Sequence, residues 1–259
     1  MNHCHSPISR LARRGPRGFT LVELMIAITV ALFLIAGMLY MVQSTRTAFG
    51  TQNQLAQLQD NERLVMTFIA EVVESAGYFP DPVHNVNTTV MPVAGVFTSH
   101  GQSISGTHAA AAPGDTVTIR YGAGLNDNVF NCAGTTNSTV PVDTFVNQFS
   151  VDNNGRLLCT YSSNVTTTPI IVPLVSGGAN LAVKNLQVRY GIKRNATDTG
   201  SCVDTYLTAS QMAPADWLNV CSINLQVTFT NPLAAGGTGP ATIMIQRVVA
   251  VMNAAGVNT

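Results

Sequence analysis

Arg17-Gly18-Phe19-Thr20-Leu21-Val22-Glu23 leads directly into Leu24 to Val42, 19 residues without a charged side chain. That run is close to the ~20 residues a helix needs to cross the hydrocarbon core of a bilayer. Arg10, Arg13, Arg14 and Arg17 stand before it, and no Asp or Glu occurs before Glu23. Basic residues stay on the cytoplasmic side, so the charge pattern predicts a cytoplasmic N-terminus and a C-terminal portion delivered across the membrane. An ordinary secretory signal has a shorter apolar region, ~7 to 15 residues, followed by a small-residue cleavage site. Here the small residue, Gly18, comes first. Glu23 is the anomaly, because an ionised carboxylate within a membrane costs at least ~2.5 kcal/mol unless it is partnered or near the surface. Cleavage after Gly18 would create an α-amino group on Phe19, one helical turn from Glu23 at spacing i, i+4. In a stack of subunits the same carboxylate would meet the amine of a neighbour. The plainer alternative is a snorkelling Glu at the edge of a signal anchor.

At these residues the chain resembles the type IV pilin superfamily, whose members share a short basic leader, Gly-Phe-Thr-Leu-x-Glu and a long N-terminal helix. The resemblance implies that a prepilin peptidase cuts after Gly18 and methylates Phe19, and that Glu23 guides subunit docking. It also implies an α+β fold, with a long N-terminal α-helix, transmembrane in its first half, packed on an antiparallel β-sheet domain. The expected organisation is a cytoplasmic leader at 1–18 that is removed, a helix at 19–77 with its membrane span at 19–42, and a periplasmic β-rich domain at 78–259.

The helix is expected to continue past the membrane, since no proline occurs from Phe19 to Phe79. Leu55, Leu58, Val65, Ile69, Val72 and Ala76 recur at helical spacing on one face. Gly77 suits a helix terminus, and Pro80 and Pro82 prevent resumption. Unbroken from Phe19 to Gly77, such a helix has 59 residues and a length of roughly 88 Å. Many major pilins carry a proline in the first half of this helix; here Gly37 is the obvious weak point.

Composition narrows the possible functions. The 259 residues hold 13 Lys+Arg and 13 Asp+Glu, only 10% charged, well below the ~25% of an average soluble domain. Losing the four leader arginines leaves the mature chain with a net charge of −4. No basic patch points to nucleic acid, and direct binding of it is not expected. Cys4 falls in the leader, and Cys132, Cys159, Cys202 and Cys221 fall beyond the span, where an oxidising periplasm favours disulfides. Four cysteines allow three connectivities. The sequential one, Cys132 with Cys159 and Cys202 with Cys221, is expected because each pair brackets one local excursion of the chain. The alternative, a zinc site, lacks a Cys-x-x-Cys or a His partner at ligand spacing.

From Tyr78 to Ser176 the sequence is irregular and rich in Gly, Thr, Asn and Pro, with short strand-like runs. Val117, Ile119 and Tyr121 alternate within Asp115 to Gly122, and Phe145 to Val151, Asp152-Asn153-Asn154-Gly155 and Arg156 to Tyr161 read as a hairpin. Later, Leu186, Val188, Tyr190 and Ile192 alternate, as do Ile223, Leu225, Val227 and Phe229, and Ala241 to Met252 closes the sheet. One antiparallel sheet is expected, with a face against the Leu55 to Ala76 stripe. No motif is recognisable from Val83 to Ala112.

Asn185-Leu186-Gln187-Val188-Arg189-Tyr190-Gly191-Ile192, Val203-Asp204-x-Tyr206, Asp216-Trp217 and the strand from Cys221 look like the PilW-type minor pilins of type IV pilus assembly. Tyr190, Tyr206 and Trp217 read as core aromatics. The resemblance implies a minor pilin that helps initiate or cap a pilus and so supports adhesion, twitching motility or DNA uptake. It implies a place in the inner membrane and then in the pilus. The implied partners are the prepilin peptidase, the major pilin and other minor pilins, the inner-membrane assembly platform and a tip adhesin. A J-type pseudopilin of type II secretion and a signal-anchored periplasmic enzyme or binding protein are the alternatives.

Catalytic motifs are missing: no Gly-x-Ser-x-Gly, no phosphate loop and no His-Glu-x-x-His occurs. No enzyme activity and no cofactor are expected. His84, His100 and His108 read as solvated loop residues. Asn195, Asp198 and Asp204 form a weak set of oxygen ligands for Ca²⁺.

Overall fold

The computed structural model describes residues 18–178, 182–194, 202–236 and 239–255. Its first helix, α1, spans Leu21–Glu74, 54 residues. The chain divides after Gly50 into two compact units.

In the first unit every described residue is exposed. The most apolar 18-residue window of α1 has a mean hydropathy of 2.5 and none of it is buried. Three threonine hydroxyls of this stretch find partners within the helix. Thr29, Thr45 and Thr47 hydroxyls donate to the carbonyls of Ile26, Met41 and Gln43 at 2.8, 2.8 and 3.0 Å, so they add no unpaired donor to an apolar surround.

In the second unit α1 buries Leu58, Val65, Met66, Ile69, Ala70, Val72 and Val73, with Leu55 half-buried beside them. Spacings of three, four and seven put these residues on one stripe. The last turn tightens, Ala76 N–H donating to Val73 C=O at 3.0 Å, and regular α-helix stops at Glu74 rather than Gly77. Gly77 then adopts φ +77°, where a side chain would be strained. Its N–H donates to Arg120 C=O at 3.0 Å.

The stripe is covered by two antiparallel sheets where one was expected. The first is a meander of β1 (Ile104–Thr107), β2 (Thr116–Gly124), β3 (Val142–Val151), β4 (Leu157–Ser163) and β5 (Ile170–Val175), in that order. The second contains β6 (Val183–Ile192), β7 (Thr205–Leu207), β8 (Val220–Thr230) and β9 (Thr242–Ala250), ordered β7-β6-β8-β9. The expected hairpin is β3 and β4. Its Asp152 carboxylate accepts from the Asn154 and Arg156 amides at 2.9 Å each, and Gly155 supplies φ +72°. Two strands, β1 and β5, have no clear alternation in sequence: β1 contains Gly106, and β5 carries Pro173.

Asp115 joins the sheets. Its N–H donates to Leu186 C=O at 2.7 Å, and its carboxylate accepts from Val188 N–H at 2.8 Å, Ala109 N–H at 2.8 Å and His108 Nδ1 at 2.9 Å. The backbones of the two sheets also meet at the parallel bridge of Gly114 with Leu186, and Val183 N–H on β6 donates to Gly155 C=O in the β3–β4 turn at 2.9 Å. A second sheet arises because the inner residues of β6 and β8, Leu186, Val188, Tyr190, Ile223, Leu225, Val227 and Phe229, are all fully buried. Together with β2 to β4 they exceed what one sheet face can cover.

The segment 83–112 folds around one cation. Arg120, on β2, is 2% exposed and its guanidinium donates to four carbonyls: Gln102 at 2.5 Å, Pro92 at 2.5 Å, Met91 at 3.1 Å and Ser99 at 3.4 Å. The Phe97 ring lies 4.1 Å from the guanidinium carbon. Burial lowers the Arg120 pKa to about 10, which leaves it charged at neutral pH. A short helix, α2 (Asn87–Val90), is tied to β3 by Thr144 Oγ1 donating to Val90 C=O at 2.9 Å.

Candidate functional site

The N-terminal residues lie on the first unit. Gly18 is exposed, and a Cβ built there would meet nothing within 4 Å. The fold itself therefore does not require glycine at this position. Phe19 is 82% exposed, and Glu23 is exposed as well. Thr20 Oγ1 accepts from Glu23 N–H at 3.3 Å, and Leu24 N–H donates to Thr20 C=O at 3.1 Å. Thr20 thus caps α1, and Glu23 is the third helical residue, the acidic position of a Thr-x-x-Glu capping pattern. A carboxylate there also complements the positive end of the helix dipole. Sequence reasoning missed this cap, although Thr20-x-x-Glu23 ahead of an apolar run was the signal.

The four cysteines beyond the apolar span lie in the second unit. The structure links Cys132 to Cys159 with Cα atoms 6.1 Å apart and Cys202 to Cys221 at 6.0 Å. The first tethers the 125–137 loop to β4. The second ties the segment carrying Tyr206 and Trp217 to the start of β8. Trp217 meets the fully buried Tyr190 edge-to-face at 4.8 Å, and Tyr206 OH lies 3.0 Å from Ser222 Oγ. Arg194 and Asp216 pair at 2.7 Å; that bond and charge hold the Asp216 carboxyl below its ordinary range. These aromatics line packed interior and sheet surface.

Of the calcium candidates, Asn195 and Asp198 lie outside the described residues. Asp204 Oδ2 accepts from Arg194 N–H at 2.9 Å. Among the described residues no group of three His, Cys, Asp or Glu side chains converges as a metal would need. His84, largely exposed, pairs with Asp81 at 2.7 Å. His108 is more than a solvated loop residue, because its imidazole covers the buried Asp115.

Two family models match this chain. Residues 13–39 match the prokaryotic N-terminal methylation motif. Residues 119–250, just over half of the chain, match the type IV pilus-assembly protein W model. The chain belongs to the type IV pilus-assembly protein W family. The PilW match runs from Ile119 on β2 to the end of β9 and takes in the whole second sheet, the first sheet except β1 and the start of β2, Arg120 and all four linked cysteines. As a PilW-family chain with a methylation motif, it carries a prepilin-type membrane anchor. The type IV-like pilin TTHA1219 from Thermus thermophilus aligns with a TM-score of 0.44 and 16% identity, over 76% of this chain and 97% of that one. No curated protein matches the chain in sequence.

Proposed function

We propose that this chain is a minor pilin that helps initiate or cap a type IV pilus and has no enzymatic role. The observation that carries the reading is the pairing, on one chain, of the methylation motif at 13–39 with the PilW match at 119–250. In this reading the leader stays cytoplasmic and the second unit is periplasmic. A prepilin peptidase cuts after Gly18 and methylates Phe19, leaving 241 residues. The assembly platform then delivers the subunit to a fibre containing the major pilin, other minor pilins and a tip adhesin. The open surroundings of Gly18 support a requirement imposed by the peptidase, since nothing in the fold opposes a larger residue there.

Glu23 acts in docking. Within the subunit its backbone closes the first turn of α1 while its side chain stays exposed, free to meet the Phe19 amine of a neighbour inside the fibre, where low dielectric makes an unpaired charge costly. The test is Glu23→Ala and Glu23→Gln in a strain carrying only the variant copy. Cleavage, membrane insertion and both disulfides are expected to be intact, and surface piliation is expected to fall sharply in both. Wild-type piliation at wild-type abundance would refute the docking role. Processing is tested separately by intact mass: an N-terminus other than Phe19, or normal maturation of Gly18→Glu, would refute the cleavage assignment.

A further inference from the structure

The last turn of α1 breaks two rules of helix electrostatics. The C-terminal end of a helix carries partial negative charge and favours cations. Here it holds Glu71 and Glu74 and no basic residue. The two also stand three residues apart, as neighbours on the helix surface, where like charges repel. Among the described residues neither carboxylate forms a hydrogen bond or an ion pair. Local conflicts of this kind are expected at functional sites, where a binding partner offsets them.

Both carboxylates border a groove within the second unit. Glu71 lies with Phe68, Val72 and Phe130 on a cavity of about 410 Å³ between α1 and the 128–134 loop. Glu71 and Glu74 lie with Tyr78 and Met252 on an adjoining cavity of about 420 Å³. The two share Glu71, Ser75 and Val129 and so form one groove. No Lys, Arg or His lines either part among the described residues. Tyr78, Phe130 and Met252 leave 40%, 53% and 61% of their surfaces uncovered along it. The walls are fixed before anything binds. The loop is held by the Cys132–Cys159 disulfide and by Tyr121 OH, which donates to Phe130 C=O at 2.5 Å. On the far side Asn253 Nδ2 donates to Gly77 C=O.

We propose that this groove binds an arginine side chain presented, between apolar neighbours, by a different polypeptide. Charge complementarity sets the sign, because two unpaired carboxylates and the negative end of α1 converge on it. The rings select the cation. A guanidinium reaches two carboxylates through its fork and lies against aromatic faces, whereas an ammonium is a compact, strongly hydrated point charge. Phe68, Tyr78 and Phe130 supply the rings, and the uncovered rim takes the apolar neighbours. A second copy of this chain offers no such arginine in its second unit. Arg120, Arg156, Arg194 and Arg247 are engaged by carbonyls or carboxylates. Arg63 follows Asp60, Asn61 and Glu62, and Arg189 stands in register with Asn224, two residues from Gln187.

The test uses the full-length chain in detergent micelles and the fluorescent peptide Gly-Leu-Val-Arg-Leu-Gly. The control peptide carries citrulline in place of arginine, which keeps the shape and removes the charge. Binding of the arginine peptide, at least tenfold tighter than the control, is expected. Glu71→Gln with Glu74→Gln should weaken that binding at least tenfold without lowering the melting temperature, because a repelling pair is removed. Should that variant misfold, Phe130→Ala with Met252→Ala, which alters only exposed side chains, should weaken binding at least threefold. Equal binding of the two peptides, or undiminished binding by a folded variant, overturns the proposal. So does self-association of the wild-type chain that Glu71→Gln with Glu74→Gln abolishes, since the occupant would then be a second copy. None of these results bears on piliation by the Glu23 variants, so the two readings fail independently.

Discussion

Residues 21–50 and 51–74 of α1 are regular helix of the same hand and pitch, yet the first stretch buries nothing within the chain and the second buries seven side chains. Leu32 and Ile69 are chemically similar; one is 61% exposed and the other fully buried. The contrast shows that one helix carries two kinds of information. In the first stretch apolar residues occur all round, as a lipid or fibre environment demands, whereas in the second they form one stripe, as a sheet partner demands. A substitution should therefore be felt by assembly in the first stretch and by folding in the second.

The largest effect on folding is expected at Arg120. Arg120→Ala strands four carbonyls inside the protein and empties a large buried volume, and at ~1 to 3 kcal/mol for each unsatisfied buried group the loss is on the order of 4 kcal/mol or more. Steady-state abundance and thermal melting of the membrane-extracted chain measure it. Arg120→Lys should recover little, because an ammonium cannot reach carbonyls spread around a planar fork. Near wild-type melting of Arg120→Ala would mean that the segment 83–112 holds itself together.

Next comes the direct comparison along α1. Ile69→Ala removes a fully buried side chain and should cost about 3 kcal/mol. Ile28→Ala, at a position 51% exposed, should leave the melting transition of the second unit unmoved. Equal destabilisation by the two would break the contrast between the halves.

The disulfides should contribute a similar amount. Their loops close 27 and 19 residues, and loops of that length are worth about 3 kcal/mol each in the chain-entropy account. Cys132→Ala with Cys159→Ala, and separately Cys202→Ala with Cys221→Ala, should lower the melting temperature while leaving the proposed cleavage after Gly18 untouched. Non-reducing peptide mapping checks the pairing itself, and crossed pairs would contradict it.

The smallest effect concerns the β3–β4 turn. Bonds from the Arg156 amide, then from its side chain, and from the Asn154 amide hold the Asp152 carboxyl below its ordinary value. A carboxyl with a depressed folded pKa stabilises the fold above its unfolded pKa, and that contribution disappears as pH falls through the folded one. Asp152→Asn should therefore lower stability slightly at neutral pH, change it little at acid pH, and so flatten the acid limb of the stability curve. A steeper acid limb in the variant would reverse the assigned sign.

Much of this architecture was legible because it rests on local periodicity. The α1 stripe, the β3–β4 hairpin and the alternations of β6 and β8 each follow from side-chain spacing, and Gly77, Gly155 and the two prolines punctuate them. The N-terminal motif was legible as a string of residues, although the capping role of Thr20 went unread because Glu23 drew attention as a charge in an apolar run. β1 and β5 went unread because a glycine and a proline interrupt their patterns.

The sequence by itself determined the helix, its change from an all-round apolar surface to a stripe, the charge asymmetry at its start and the strands whose faces alternate. These are properties of neighbours along the chain. Only the tertiary structure decided that the strands form two sheets, that Asp115 bonds one to the other, and that Arg120 organises the motif-free segment from inside. Each of those depends on which backbone groups meet across distances of tens of residues. A lone Arg or Asp reads the same in sequence whether water or four carbonyls surround it, so burial and partner geometry, not residue type, set what it does.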